Sequence, residues 1–138
     1  MNTNILTPQE ARGYSPLALA FIGDAVYENF IRTKIVLQAN ASANKLHKKA
    51  VSFVRAHAQS EASKALASLL TADEEEIFKR GRNAHSASVP KNADVTEYRA
   101  ATGLETLIGY LYLTGQADRL DFLMKEAYNV ISQSLSIK

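Results

Sequence analysis

The chain of 138 residues has the length of one ordinary domain, and its 46% hydrophobic content is enough to build a folded core without disulfides or metal. The absence of cysteine excludes disulfide frameworks, iron–sulfur clusters and thiol nucleophiles, and a formal net charge of +2 indicates no partner by itself. No window approaches the ~18 apolar residues of a membrane span, and the N-terminus lacks a signal-peptide pattern. We therefore expect a soluble, cytoplasmic protein that does not contact a membrane.

Apolar residues recur at helical spacing along most of the chain, and capping residues mark where helices begin. Ser15-Pro16 is typical of a helix start, and Thr71 with Glu74 forms a capping box. The acidic run 73–76 therefore reads as helix capping and not as a metal site. The predicted helices run from Pro16 to about Gln38, from Ser42 past Val54, from about Ala58 to Leu70, from Thr71 to Gly81, from about Asp94 to Gly115, and over the final stretch 116–138.

The fold class indicated is all-α. No alternating strand pattern of useful length and no internal repeat is present, and the connections are short except for one stretch of small and polar residues over 81–92. We expect one helical domain over residues 1–138.

Two carboxylates break the apolar pattern of their helices. Asp24 lies three residues after Phe21 and three before Tyr27, and Glu105 lies four after Ala101 and three before Ile108. Carboxylates on apolar faces are unfavourable unless they are paired or bind a cation. The pattern therefore indicates one shared site.

Two interpretations of this acidic pair stay open. In the first, arginines such as Arg32, Arg55 or Arg99 reach in and neutralise the carboxylates. In the second, small neighbours such as Gly23 and Gly109 leave room for a hydrated ion. Mg²⁺ or Mn²⁺ suits that site, because the sequence offers neither thiolates nor a histidine pair at ligand spacing.

Basic residues are clustered, although the net charge is small. The windows 45–57 and 79–91 hold eight of the sixteen lysines and arginines and no acidic residue. They are either solvated helix faces or a surface that binds nucleic-acid phosphates. Single histidines are more often structural, and of His47, His57 and His85 only His85, in the loop, is a candidate for RNA contact. Serine-nucleophile, phosphate-loop and dinucleotide motifs are absent.

Several motifs resemble one enzyme family. The segment 21–26 (FIGDAV) is similar to the signature helix of ribonuclease III catalytic domains, and 104–109 (LETLIG) is similar to their second acidic motif. The loop segments 79–84 (KRGRNA) and 90–95 (PKNADV) resemble those of the small branch called Mini-ribonuclease III. The resemblance covers about residues 15–115, and 116–138 follows as a C-terminal helix where longer enzymes attach a double-stranded-RNA-binding domain.

The resemblance implies a homodimeric, Mg²⁺-dependent endonuclease that hydrolyses double-stranded RNA, with Mn²⁺ as a substitute ion. Asp24 and Glu105 occupy the positions of two metal ligands and would be the catalytic pair. For the small branch the resemblance implies that the substrate is the precursor of large-subunit (23S) ribosomal RNA, and a ribosomal protein is a candidate partner that shapes it. Three positions that are acidic in the larger enzymes are Leu17, Ala20 and Thr102 here. Water or backbone oxygens would have to complete the coordination.

RNA contacts are expected from the basic windows and the loop, and affinity should be weak and sensitive to salt. The candidates are Lys48, Lys49, Arg80, Arg82, Asn83, His85, Lys91 and Asn92. One alternative is an RNA-binding or ribosome-assembly module that keeps the fold but has lost catalysis, as the missing acids would allow. A helical protein–protein adaptor is a further alternative, but it leaves the coincidence of acids and basic windows unexplained.

Overall fold

The computed structural model describes residues 5–84 and 94–137, and its regular structure over those ranges is entirely helical. The predicted all-α class is confirmed. Over these ranges the chain forms seven α-helices and one 3₁₀ turn: α1 Pro8–Arg12, α2 Pro16–Gln38, α3 Ala43–Val54, α4 Ala56–Leu66, the turn Ala67–Leu69, α5 Ala72–Arg82, α6 Val95–Leu113 and α7 Ala117–Ile137. Among them, none combines the length and apolar content that crossing a membrane requires.

Side-chain caps fix where the longer helices begin. Ser15, Ser42 and Asp94 each accept a hydrogen bond from the backbone N–H three residues later, at 3.1, 3.3 and 3.0 Å. Thr71 and Glu74 form the predicted reciprocal capping box, with bonds of 3.1 and 2.9 Å. These bonds satisfy amide groups that have no partner inside the helix, which confirms the predicted starts of α2, α3, α5 and α6.

Helices α1 and α4 differ from the sequence-based expectation. Helix α1 was not predicted, although Thr7 and Glu10 form a capping box at its start. Helix α4 begins at Ala56 because Arg55 alone, in an extended conformation, separates it from α3. It ends at Leu66, and a 3₁₀ turn replaces the last predicted turn.

Helix α6 is the central element of the core. It packs against α2, α4 and α5 and makes smaller contacts with α1 and α7. Its central residues are buried on nearly every side: Ala101, Gly103, Leu104, Thr106, Leu107, Ile108, Gly109, Tyr110 and Leu111. A helix surrounded in this way holds any functional side chain that it carries in a fixed position.

The acidic start of α5 is structural, as the sequence indicated. Glu74 is buried and receives two hydrogen bonds of 2.8 Å from Arg119 of α7. Asp73 and Glu76 both bind Arg12 at the end of α1, the latter pair at 3.0 Å. The run caps α5 and ties it to α1 and α7.

Candidate functional site

Helices α2 and α6 cross in direct backbone contact, and this crossing creates the site. A Cβ atom placed on Gly23 would come within 1.8 Å of the Glu105 carbonyl oxygen, and one on Gly109 within 1.9 Å of the Leu19 carbonyl oxygen. No larger residue fits at either position without separating the helices. The glycines therefore let two helix backbones approach closely enough to bring their side chains together.

The crossing brings Asp24 and Glu105 together. Asp24 follows Gly23 on α2, and its carboxyl group is within hydrogen-bonding range of the Glu105 carboxyl group on α6. Asp24 is exposed, whereas Glu105 is partly buried, so the pair has one side open to solvent and one side against the core. The two residues that the sequence singled out thus lie side by side.

The first interpretation of the acidic pair, neutralisation by arginine, finds no support in the described residues. There Arg32 pairs with Glu28 at 2.9 Å, and Arg55 and Arg99 are exposed. No lysine or arginine of the described ranges forms an ion pair with Asp24 or Glu105. The negative charges of the pair are not balanced by a basic side chain from that part of the chain.

The pKa of Glu105 reflects its burial first and the neighbouring negative charges second. Burial raises the pKa of the Glu105 carboxyl to about 8, and the negative charges of Asp24 and Glu28 act in the same direction. A hydrogen bond from Gln59 opposes these effects. Burial, reinforced by the charge of Glu105, likewise raises the pKa of Tyr27. A bound cation would favour the ionised pair, because it supplies the missing positive charge.

The inner side of the pair is lined by the polar side chains of Gln59 and Tyr27, to which the sequence analysis assigned no role at the site. The amide nitrogen Nε2 of Gln59 donates to Glu105 Oε2 at 3.1 Å and to the Val54 carbonyl oxygen at 2.8 Å. Among the described residues, the buried side-chain atoms without a hydrogen-bond partner are Tyr27 Oη and Gln59 Oε1. A signal for Gln59 existed, because Ala62 and Leu66 follow it at three and seven residues, the spacing of an apolar helix face.

The donor set fits a hard divalent cation. Two adjacent carboxylates, one of them exposed and neither neutralised by a basic side chain of the described ranges, are the oxygen ligands that Mg²⁺ prefers. The described residues contain no group of three or more acidic or histidine side chains arranged to hold an ion. Mg²⁺ commonly uses only one or two carboxylates and completes its shell with water and substrate phosphate. Asp24 and Glu105 are therefore sufficient candidates for ligands.

The three positions that lack an acid carry apolar or hydrogen-bonded side chains. Ala20 is buried, and Leu17 is 39% exposed with an apolar side chain. The Thr102 hydroxyl donates to the Tyr98 carbonyl oxygen of its own helix at 3.1 Å. These three positions thus add no carboxylate to the pair.

The predicted RNA-binding residues that the structure describes lie on α3 and at the end of α5. Lys48 and Lys49 are exposed on α3, and Lys49 Nζ donates to Gln38 at 3.3 Å. The end of α5 runs along α6 at the level of Glu105, because Gly81 packs against Thr106. Arg80, Arg82 and Asn83 are at that end; Arg80 donates to the Arg12 carbonyl oxygen at 3.2 Å, and Arg82 donates to Asn83 at 3.2 Å.

Two of the three histidines lie in the described ranges, whereas the loop candidates for RNA contact do not. His85, Lys91 and Asn92 lie outside the described residues, so their placement stays a prediction. His57 is held between two carboxylates, with Nδ1 2.5 Å from Glu97 and Nε2 3.3 Å from Glu61. His47 is exposed on α3. His57 therefore has the structural role that a single histidine more often has.

Comparison with known proteins identifies a family and several close relatives. The family described as the Ribonuclease III domain matches residues 17–116. A protein named Mini-ribonuclease 3 from Thermoanaerobacter is 48% identical, over 96% of this chain and 93% of the relative, and one of the same name from Staphylococcus aureus is 38% identical, over 86% and 90%. A crystal structure of a Fusobacterium nucleatum protein superimposes with a TM-score of 0.77 at 33% identity, covering 86% of this chain and 94% of that one.

Proposed function

This chain belongs to the ribonuclease III family, and from that premise we propose that it is a Mg²⁺-dependent endoribonuclease that hydrolyses phosphodiester bonds in double-stranded RNA. The observation that carries the proposal is the contact between Asp24 and Glu105 at the crossing of α2 and α6. Mn²⁺ is the expected substitute ion, since it accepts the same oxygen ligands. A cytoplasmic location is part of the proposal, because precursor RNA is available there.

The proposed roles of the two carboxylates differ with their exposure. Asp24, on the open side, is the ligand that would lie nearest to an incoming phosphate, while Glu105 is anchored to the core through Gln59. When bound, the ion supplies Lewis-acid polarisation of the phosphate and activation of a water nucleophile. The protein contributes a fixed pair of ligands and a local excess of negative charge that attracts the cation.

The basic residues are proposed to bind RNA phosphates beside the acidic pair. Support comes from the end of α5, which lies along α6 at the level of Glu105 and carries Arg82. The exposed lysines Lys48 and Lys49 extend the positive charge onto α3. A-form RNA presents phosphates and 2′-hydroxyls more readily than base edges, so this surface would recognise shape more than sequence. His85, Lys91 and Asn92 complete the proposed contact set.

A homodimer is proposed, with each subunit cutting one strand. Support comes from the outward face of α2, where Phe21 is 83% exposed and Leu17 is 39% exposed, next to Asp24. The exposure of an aromatic side chain to that extent, next to an exposed leucine and an acidic residue, indicates contact with a partner protein. A second copy placed on this face would bring two acidic pairs to one RNA duplex.

The proposed substrate is the precursor of large-subunit ribosomal RNA, shaped by a ribosomal protein. Support comes from the similarity to proteins named Mini-ribonuclease 3, together with a net charge of only +2, which limits general electrostatic attraction to RNA. A weakly basic enzyme gains selectivity when it depends on the shape of one structured RNA.

The proposal is tested by incubating the purified protein with a duplex RNA and a matched duplex DNA, with Mg²⁺ or with chelator. We expect cleavage of RNA only, only with Mg²⁺, and none by Asp24→Asn. Asp121→Asn, which removes an exposed carboxylate on α7, is the matched control and should cleave normally. RNA binding without cleavage by the wild-type protein, also on a structured ribosomal RNA precursor, would instead indicate a non-catalytic RNA-binding module.

A further inference from the structure

A buried glutamine connects the acidic pair to the end of another helix. Gln59 lies on α4 and is only 2% exposed. Its Nε2 atom donates both of its hydrogens, one to Glu105 Oε2 at 3.1 Å and one to the Val54 carbonyl oxygen at 2.8 Å. Both partners are acceptors, which fixes the orientation of the amide group.

We propose that Gln59 is a positioning residue that holds the Glu105 carboxylate in place beside Asp24, with its side chain spanning from the end of α3 to the metal ligand. This inference rests on the proposed function, since it assigns Gln59 a role toward the cation held by the acidic pair. Gln59 does not touch the reacting atoms. It acts through Glu105.

The rotation of the Glu105 carboxylate is the property that Gln59 controls. One oxygen, Oε2, is bound to a buried amide group that is itself attached to a backbone carbonyl. The carboxylate plane can therefore not turn about its last torsion without breaking this bond. A ligand held in one orientation binds a cation more tightly than one that must be ordered first, because less conformational freedom is lost on binding.

The placement of Val54 makes the connection rigid. Val54 is the last residue of α3, where carbonyl groups have no partner inside the helix, and Gln59 satisfies its oxygen. The same side chain thus completes a helix end and orients a ligand. The Oε1 atom is buried and has no partner among the described residues, so the hydrogen bonds of the amide there are the two that Nε2 donates.

Two substitutions test the role with a readout that does not require RNA. Gln59→Met keeps the length of the side chain without the amide, and Gln59→Asn keeps the amide but is too short to reach Glu105. The control is Ser63→Ala on the same helix, which removes another buried hydrogen bond, to the Ser60 carbonyl oxygen at 2.8 Å, that does not involve the acidic pair. Thermal melts identify which variants are folded at the temperature of the assay.

Mn²⁺ binding to the RNA-free protein is measured by isothermal titration. We expect both Gln59 variants to bind Mn²⁺ about 10-fold more weakly, the loss typical when a hydrogen-bond partner of a metal ligand is removed, while Ser63→Ala binds like the wild type. In cleavage assays kcat should fall with an unchanged KM for RNA. Wild-type Mn²⁺ affinity in whichever Gln59 variant is folded would overturn the positioning role.

The two proposals fail in distinguishable ways. If wild-type protein cleaves RNA but the Gln59 variants bind Mn²⁺ normally, the positioning role is wrong and the proposed function stands. If wild-type protein binds Mn²⁺ with a loss in the Gln59 variants but cleaves no RNA, the role toward the cation stands and the proposed ribonuclease function fails.

Discussion

The Cα atom of Gly23 faces the backbone carbonyl of Glu105, so that no side chain separates α2 from α6 at the point where Asp24 meets Glu105. The same relationship recurs one turn along α6, between Gly109 and the Leu19 carbonyl. The closeness of the two carboxylates is a consequence of the closeness of the two backbones. Any change that separates the helices will also separate the pair.

Gly23→Ala should therefore damage both stability and metal binding. The new Cβ atom would meet the Glu105 carbonyl oxygen at 1.8 Å, and backbone cannot move aside as a flexible side chain can. We expect a loss of about 3 kcal/mol in the free energy of unfolding and a weakened Mn²⁺ affinity. Denaturant melts and titration of Mn²⁺ check this.

Gly13→Ala is the control for that substitution. Its Cβ atom would approach the Glu10 carbonyl oxygen only to 3.2 Å, and the φ angle of −75° suits alanine. Its effect should stay within about 1 kcal/mol. If both variants were equally stable, the close crossing would not be a constraint.

Stability should depend on pH through Glu105. Its pKa is about 8 in the folded protein, compared with an ordinary value of 4.5. Between those values the folded state holds a proton that the unfolded chain releases, so the free energy of unfolding falls as pH rises from about 4.5 to 8. The stabilising contribution is present below 4.5 and lost above 8.

Glu105→Gln removes this dependence. In the presence of chelator, the variant should melt about 5 °C above the wild type at pH 8.5 and close to it at pH 4.5. Added Mg²⁺ should raise the Tm of the wild type at pH 8.5 and leave that of the variant unchanged, since the cation favours the ionised pair. A constant difference between the two proteins across this pH range would contradict the assignment.

The buried Glu74–Arg119 pair should matter far more than its exposed neighbour. Glu74 is 4% exposed and the Arg119 side chain 30% exposed, so Glu74→Gln weakens two charge-assisted hydrogen bonds at a buried acceptor, and we expect a loss of about 2 kcal/mol. Glu75→Gln breaks only the exposed pair with Lys79, 3.6 Å long, and should change stability by less than about 1 kcal/mol. Urea melts of the two variants side by side make the comparison; similar losses would argue against it.

Phe21→Ser should convert the proposed dimer into a monomer with little RNA cleavage. Phe21 is 83% exposed and lies three residues before Asp24. Leu37→Ser is the control, because Leu37 is 80% exposed on the same helix but about 24 Å further along it. Light scattering after gel filtration gives the mass of each. Dimers in both variants would show that Phe21 does not lie at the interface.

RNA affinity should depend on salt through a few identified charges. Replacing Lys48 or Arg82 by Ala should each reduce the slope of log Kd against log salt concentration by about 1 and leave sequence preference unchanged. Lys125→Ala, which removes a lysine paired with Asp121 on α7, serves as the control and should keep the wild-type slope. Identical slopes in all three variants would show that Lys48 and Arg82 do not bind RNA phosphates.

Capping chemistry and apolar spacing were sufficient to predict most of the fold. The starts of α2 at Ser15 and α5 at Thr71 follow from local hydrogen bonds, which a sequence displays directly. Helix α1 was missed, because a five-residue helix has too little apolar periodicity to stand out even though Thr7 and Glu10 cap it. Short elements are fixed mainly by contacts such as that of Arg12 with Asp73, which join distant parts of the chain.

The candidate site was predicted in part. Asp24 and Glu105 do meet, but Asp24 is exposed. The sequence did not indicate this exposure, since helical spacing identifies an apolar face and not what covers it. The exposure of the neighbouring Phe21 could not be predicted for the same reason. The contact of Gln59 with Glu105 depends on where α4 crosses α6, a relation between helices that no local pattern contains.

The single-residue junction at Arg55 makes the angle between α3 and α4 a property of one backbone ψ angle, 157°. Adding or deleting one residue there would displace the end of α3 relative to α4 and would break the hydrogen bond between the Val54 carbonyl oxygen and Gln59. Lys48 and Lys49 would change position together with Val54, because all three lie on α3. The chain length at this one joint thus couples the orientation of a charged surface to the acidic pair, and we expect it to tolerate substitutions better than insertions.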